Sequence, residues 1–341
     1  MNIQAAIAAL IEGESLSSQA MTDVMRQVMG GEASDVQIAG FLVALRIKGE
    51  TVDELRGAVS VMRELMKPVT LADLDSAIDI VGTGGDGAGL FNVSTASCFV
   101  AAAGGASVAK HGNRSVSSKS GAADLLEAAG VNLALDAAQV AECVERAGVG
   151  FMFAVNHHPA MKYAVGPRRE LGVRTIFNLL GPMTNPAGVR RQVLGVYDRQ
   201  WLGPMAEVLR DLGSEHVLLV HSDDGLDEIS IAAPTTVVEL KGGEITESRV
   251  TAEDLGLQSH PLDALKVSGA QESLALIESL LAGEPCAAAD MVALNAGAAL
   301  YVAGRAESLK QGVALASEIL VSGNGLLQLR KLAEVSQELT A

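Results

Sequence analysis

Lys110, Arg114 and Lys119 lie in a stretch, Gly87 through Ala123, that contains no Asp or Glu, although the chain as a whole carries 41 acidic against 25 basic residues and a formal charge of −16. Two glycine-punctuated runs frame this reversal, Val-Gly-Thr-Gly-Gly-Asp-Gly at 81–87 and Lys-His-Gly-Asn-Arg-Ser-Val-Ser-Ser-Lys-Ser-Gly at 110–121. Glycines let backbone N–H groups approach a phosphate closely, and helix N-termini add positive dipole. The hydroxyls of Ser94, Thr95, Ser117 and Ser118 supply further donors. The pattern reads as a pocket for an anion, and a phosphorylated ligand fits it best.

The first run contains Gly-x-Gly-x-x-Gly at Gly82, Gly84 and Gly87, after a strand predicted over Ile78 to Val81. A dinucleotide site needs an acidic residue about 20 positions on, to accept from a ribose hydroxyl. Here the next predicted strand, Ala106 to Ala109, runs into Lys110 and His111 instead. A reading as two ligand-free turns leaves unexplained why both end at predicted helix starts while the charge between them is reversed. Farther on, Asp227 and Glu228 are adjacent carboxylates. On a strand they would face opposite ways, but on a turn after Asp223, Asp224 and Gly225 both can reach one cation, and oxygen-only ligands suit Mg²⁺. Exposed acid pairs are also common surface features, so the residues alone leave both readings open.

The elements that must position these groups follow from size and period. A chain of 341 residues that is 49% hydrophobic, with 36 glycines and few aromatics, fits a tightly packed α/β enzyme of one large domain or two. No apolar run approaches the roughly 18 residues that span a bilayer, and the start lacks a basic segment before an apolar one, so the protein is expected in the cytoplasm with no membrane partner. Cys98, Cys143 and Cys286 have no metal-type spacing and read as small buried residues. The acidic excess argues against nucleic acid as partner, because affinity for phosphate backbones comes from Lys and Arg.

The first 70 residues read as helix. Ser34 with Gln37 and Thr51 with Glu54 are predicted capping boxes, and Leu55, Val59, Met62 and Met66 share one helical face before Pro68. From Ile78 short β runs alternate with helices, with strands predicted around Ala106–Ala109, Gly150–Ala154, Gln192–Tyr197 and His216–His221. This implies a parallel or mixed sheet flanked by helices. Gly242-Gly243 joins Val237–Leu240 to Ile245–Arg249 as a predicted hairpin. After Ser268, an expected N-cap with Gln271 three residues on, amphipathic helix is expected to the end.

The pair Gly-Thr-Gly-Gly-Asp (82–86) and Lys-His-Gly-Asn-Arg-Ser-Val-Ser-Ser (110–118) resembles the anthranilate phosphoribosyltransferases of tryptophan biosynthesis. So do Phe-Asn-Val-Ser-Thr at 91–95, His-His-Pro-Ala-Met-Lys-Tyr-Ala-Val-Gly-Pro-Arg-Arg-Glu-Leu-Gly at 157–172, Asn-Leu-Leu-Gly-Pro-Met-Thr-Asn-Pro at 178–186 and Asp-Gly-Leu-Asp-Glu-Ile-Ser at 224–230. The resemblance implies a helical subdomain over 1–70, completed by about 165–184, and an α/β domain over 71–341 that binds phosphoribosyl pyrophosphate, with the active site in the cleft between them. It also implies a homodimer formed through the helical part. Whether an amidotransferase subunit binds is left open.

The implied reaction displaces pyrophosphate from the anomeric carbon by the amino group of anthranilate. Catalysis then rests on neutralising the leaving group and aligning the amine, and no Ser/His/Asp or Cys/His arrangement is required. By resemblance, Gly82, Gly85, Asp86, Asn92, Val93, Ser94, Thr95, Lys110, His111, Gly112, Asn113, Arg114, Ser115, Val116, Ser117, Ser118 and Ala122 hold phosphoribosyl pyrophosphate. Lys110 and Asp86 are the expected catalytic residues. Arg114 and Lys119 are alternative neutralising charges, although Lys119 also fits a solvated helix-start lysine. Gly82, Asn113, Arg168 and His111 are expected at anthranilate, Arg168 through its carboxylate. Ser94, Asp227 and Glu228 are the implied ligands of magnesium, two ions per site.

Arg169 is expected in a structural salt bridge, and His157 and His158 as caps of the helix at Pro159. Leu90 departs from the Ser or Thr that the family usually places before Phe91, so one hydroxyl contact to the sugar phosphate is lost. A pyrimidine nucleoside phosphorylase of the same fold is the alternative enzyme, although it would not need Asp227-Glu228 or Arg168. A non-catalytic nucleic-acid-binding relative would need a basic groove.

Overall fold

The computed structural model describes residues 1–85, 87–114 and 120–339. Four helices open the chain: α1 (Ile3–Ile11), α2 (Ser18–Gly30), α3 (Asp35–Lys48) and α4 (Val52–Leu65). Both expected capping boxes are formed. Ser34 and Thr51 accept from the N–H groups of Gln37 and Glu54, whose side chains accept from the N–H groups of Ser34 and Thr51 in return, satisfying donors that the helix cannot.

The rest of the chain runs β1 (Ala77–Gly82), α5 (Val93–Ala103), β2 (Ser107–Gly112), α6 (Ala122–Ala128), α7 (Ala137–Ala147), β3 (Val149–Phe153), α8 (Ala154–His157), α9 (Lys162–Leu171), α10 (Phe177–Leu180), β4 (Arg191–Gly195), α11 (Leu202–Asp211), β5 (His216–Ser222), β6 (Thr235–Lys241), β7 (Glu244–Val250), α12 (Ala270–Leu281), α13 (Ala287–Val302), α14 (Leu309–Ser322) and α15 (Asn324–Glu338). The strands form one sheet in the order β3-β2-β1-β4-β5-β6-β7. The first five are parallel, and β6 and β7 are antiparallel, closed by the predicted Gly242-Gly243 turn. The fold is therefore α/β with a mixed sheet flanked by helices, preceded by a helical bundle.

Two apolar cores hold it together. One covers a face of the sheet with α5, α6, α7 and α12 to α15. The other begins in α1 to α4, passes through Trp201 and α11 (Leu202, Met205, Leu209) and ends on the opposite face of the sheet at Leu194, Leu219 and Leu240. Ala164 of α9, with Ile176, Phe177, Leu180 and Met183, belongs to this second core, so the segment between β3 and β4 packs with the N-terminal helices.

Three details differ from expectation. Cys286 is exposed, although Cys98 and Cys143 are buried. Gly269, not Ser268, is the N-cap residue of α12. The N–H and hydroxyl of Ser268 both go to Glu272, at 2.7 and 2.5 Å, because a carboxylate outcompetes the Gln271 amide as acceptor. And α13 is not amphipathic: it is buried on nearly every face between β4, α5 and α14. Among the described residues no single helix is long and apolar enough to cross a membrane.

Candidate active site

Strand order reverses at β1, which is followed by β2 on one side and flanked by β4 on the other. In open α/β sheets the crevice beyond the carboxyl ends of the strands at such a point is where ligands bind. Here Gly82 ends β1 and Gly195 ends β4, directly in register. Asp227 sits on this pair. A Cβ added at Gly82 would fall 2.4 Å from Asp227 Oδ2, and one at Gly195 would fall 1.6 Å from the Asp227 carbonyl oxygen. The glycines thus form a cradle that any side chain would fill. The Gly84 N–H donates to Asp227 Oδ2 at 2.7 Å, and Gly84 and Gly85 (φ 66° and 81°) turn the chain away from the strand.

Beside Asp227, Glu228 is half-buried. Carboxylate oxygens like these, and a hydroxyl such as that of Ser94 in the first turn of α5, are donors of the kind that suits magnesium. The cradled Asp227 therefore fits the ion that the sequence implies.

Lys110 is buried, 3% exposed. Its Nζ donates to the Ile80 carbonyl at 2.6 Å and lies 3.4 Å from Ser94 Oγ. The ammonium is thus placed at the N-terminus of α5, whose first N–H groups have no intrahelical partners. Val93 and Thr95 of that turn are buried, and Thr95 Oγ1 has no hydrogen-bond partner among the described residues.

Asn92 leads into the helix, but its side chain is used elsewhere. Its amide donates to the Ser120 carbonyl at 3.1 Å, and its Oδ1 accepts from Ser120 Oγ at 2.9 Å and Ser273 Oγ at 2.8 Å. It ties Ser120 to the start of α5 and to α12. Leu90 bridges through its backbone to Lys266 and packs against the core, where a hydroxyl would gain nothing.

Gly112 ends β2, and the carbonyl of Asn113 accepts from Ala123, next to Ala122 at the start of α6. Arg114 is not a free cation. It pairs with Asp124 at 2.9 Å and Glu127 at 2.8 Å and lies over the Phe153 ring. Those two acids follow directly after the acid-free stretch, so its positive charge is partly cancelled in space. Asp86 and the run Ser115, Val116, Ser117, Ser118 and Lys119 lie outside the described residues.

At the end of β2, His111 packs against His158, ring centroids 5.1 Å apart, both buried. Burial, with the neighbouring His158 and His157, holds the His111 imidazole well below its usual value. Burial and His157 push His158 down to about 4. Both are neutral at pH 7. The expected capping role of His157 and His158 is not seen: no side-chain cap bond is made at Pro159, and His157 Nδ1 instead meets the Lys67 carbonyl at 3.1 Å, tying α8 to the segment after α4.

Arg168 projects from α9 over the Phe177 ring, 5.1 Å from its centroid. Burial lowers the affinity of its guanidinium for the proton, and among the described residues no carboxylate pairs with it. A half-buried guanidinium in that state is suited to an incoming anion. Arg169 is exposed and, among the described residues, makes no salt bridge, contrary to expectation.

Three contributors escape a reading of the sequence. Arg174 donates to the Gly85 carbonyl and stacks on Tyr197 at 4.3 Å, bracing the glycine turn. Asp79 and Asn185 form a buried pair, with Asn185 Nδ2 donating to Asp79 Oδ2 at 2.8 Å. Asn185 stood inside a recognisable segment, but neither Asp79 nor Arg174 carries a local signal.

Residues 4–66 match the glycosyl transferase family helical bundle domain, and residues 74–326 match the glycosyl transferase family a/b domain. An anthranilate phosphoribosyltransferase of Saccharophagus degradans is 59% identical over 340 residues, covering 98% of this chain and 99% of that protein. One of Halorhodospira halophila is 55% identical, covering 99% of each. Among solved structures, anthranilate phosphoribosyltransferase from Thermus thermophilus superposes with a TM-score of 0.91 at 48% identity, covering 97% of this chain and 99% of that one. The Saccharomyces cerevisiae enzyme, in complex with PRPP and Mg, has a TM-score of 0.89 at 25% identity and covers 98% of each chain.

Proposed function

We propose a division of labour within the site from a plain premise: the chain belongs to the anthranilate phosphoribosyltransferase family. It transfers the 5-phosphoribosyl group of phosphoribosyl pyrophosphate to the amino group of anthranilate, giving N-(5-phosphoribosyl)anthranilate and pyrophosphate, in L-tryptophan biosynthesis. The observation that carries the assignment of residues is Asp227 held over Gly82 and Gly195 at the switch point of the sheet, with Lys110 and the α5 N-terminus alongside.

Lys110 and the first turn of α5 (Val93, Ser94, Thr95), held by Asn92 through Ser120 and Ser273, face the phosphates, with Gly82, Gly85, Asp86, residues His111 to Ser118 and Ala122 completing that side. As charge develops on departing pyrophosphate, preorganised donors of this kind stabilise it without reorganising. Asp227, Glu228 and Ser94 hold magnesium, two ions per site. Bound there, the metal neutralises pyrophosphate oxygens. Arg168 takes the anthranilate carboxylate, with Gly82, Asn113 and His111 lining the acceptor.

No strong base is needed before attack, since an aromatic amine is already neutral at pH 7, and the neutral His111 fits a lining role. Residues 1–70, completed by about 165–184, serve as the helical subdomain, and 71–341 as the phosphoribosyl pyrophosphate domain. Charged substrates that do not cross bilayers support a cytoplasmic location. A homodimer through the helical part is supported by an exposed apolar stripe on α3, Val36, Val43 and Ile47.

Fluorescence tests the reading directly. Anthranilate should disappear only when phosphoribosyl pyrophosphate and Mg²⁺ are both present, and equal loss after EDTA treatment would contradict it.

A further inference from the structure

β1 pairs with β2 only at Ala77 with Ser107 and Ile78 with Val108. Yet β2 stays paired with β3 as far as Gly112, and β1 stays paired with β4 as far as Gly82. The ladder between the two central strands therefore stops after Ile78, although the strands stay side by side. Three main-chain groups beyond that point are each taken by a side chain. Lys110 Nζ donates to the Ile80 carbonyl at 2.6 Å, Asp79 Oδ1 accepts from the His111 N–H at 3.1 Å, and Asn185 Nδ2 donates to the Ala109 carbonyl at 2.9 Å. The set closes on itself: the Asn185 amide also donates to Asp79 Oδ2 at 2.8 Å, and its Oδ1 accepts from the Ala187 N–H at 2.9 Å. Asp79 is fully buried and Asn185 is 3% exposed.

Stability alone does not explain the arrangement. A buried carboxylate carries a desolvation cost that an unbroken ladder would avoid. Burial, opposed by Lys110, pushes Asp79 up to about 6. The interrupted ladder is what these side chains maintain, since it lets the Lys110 ammonium sit between the two strands, beside Ile80 and Ser94.

We infer that Asp79 and Asn185 are positioning residues: they splint the unpaired ends of β1 and β2 and so fix where the Lys110 ammonium and the end of β2 at His111 meet the pyrophosphate. This rests on the assignment of Lys110 to the phosphates.

The test compares Asp79→Asn, Lys110→Ala and their combination in the full-length enzyme, with KM measured for each substrate and melting temperature recorded. Asp79→Asn keeps the shape but leaves its new NH2 facing one of two donors, the Asn185 amide or the His111 N–H. KM for phosphoribosyl pyrophosphate should rise about tenfold or more, the scale of a lost hydrogen bond to a charged group, while KM for anthranilate stays near the wild-type value. The exchange Asp79→Asn with Asn185→Asp restores the donor–acceptor match between the two positions and should recover part of the loss. The combination of Asp79→Asn with Lys110→Ala should be little worse than Lys110→Ala alone.

Should Asp79→Asn not fold, Asn185→Ala, which removes the amide and adds no polar group, carries the same expectation. If Lys110→Ala is damaging but the position 79 and 185 variants affect both substrates equally, or neither, the splint is overturned. If Lys110→Ala itself leaves phosphoribosyl pyrophosphate use intact, the assignment of Lys110 is what fails, and the inference falls with it.

Discussion

Asp227 Oδ2 accepts the Gly84 N–H at 2.7 Å across the ends of β1 and β4, so one carboxylate both anchors the glycine turn and faces the crevice. The contact depends on bare backbone below it. Gly82→Ala would drive a methyl group to 2.4 Å from that oxygen, so it should displace the carboxylate without removing it. The expected outcome is a higher Mg²⁺ concentration for half activity, in the same direction as the double variant Asp227→Ala with Glu228→Ala. The double variant should stay within about 1 kcal/mol of wild-type stability, as half-exposed turn residues do. Magnesium titrations of activity with parallel melting curves check this, and wild-type titrations for both variants would remove the assignment.

Arg168→Ala should weaken anthranilate use by about 1.5–3 kcal/mol, the worth of a hydrogen bond to a charged group, with phosphoribosyl pyrophosphate binding little changed. Arg168→Lys should rescue only in part, because an ammonium lacks the planar fork. Calorimetric titration of each ligand distinguishes this from a structural role. Loss confined to phosphoribosyl pyrophosphate would refute it.

The buried histidines set the response to acid. His158, depressed to about 4 against a usual 6.5, resists in the folded state a proton that the unfolded chain accepts. Its contribution is therefore complete above pH 6.5 and lost as pH falls through 4, on the order of 3 kcal/mol. His111 acts in the same direction. Asp79 acts in the opposite one: raised to about 6 from 3.8, its contribution is complete below pH 3.8 and lost as pH rises through 6. His158→Gln should flatten the fall in melting temperature between pH 6.5 and 4, measured across a buffer series.

Val36 and Ile47 of α3 are 82% and 81% exposed, with Val43 between them on the same face. Replacing Val36 and Ile47 with Glu should yield monomers by light scattering if this stripe joins two copies. A wild-type mass for the double variant would place the interface elsewhere.

What could be read in advance was local. Ser34 and Thr51 announce their helices because the cap and its partner lie three residues apart, and Gly242-Gly243 announces its hairpin for a similar reason. The charge reversal was legible as composition, an acid-free run in an acidic chain, but the pairing of Arg114 with Asp124 and Glu127 was not. Asp79 was not, because a single acid within an apolar strand looks the same whether it meets water or an amide 106 residues away. Arg174 reaches Gly85 only after the segment around α9 has returned to the N-terminal helices, a crossing that no period records. The Ala-rich sequence of α13 has no polar face to read, since nearly all of it is enclosed.

The core shared by α1 to α4, α11 and one face of the sheet makes the N-terminal helices a poor portable module. A fragment ending near residue 70 would leave the apolar side of α4 bare, and the remainder would lose the cover over α11 and the Arg56–Asp211 pair that joins those helices. Neither part is a complete folding unit in the sense that a separable domain requires. Chimaeras that exchange the helical part between relatives would therefore have to carry α11 along with it.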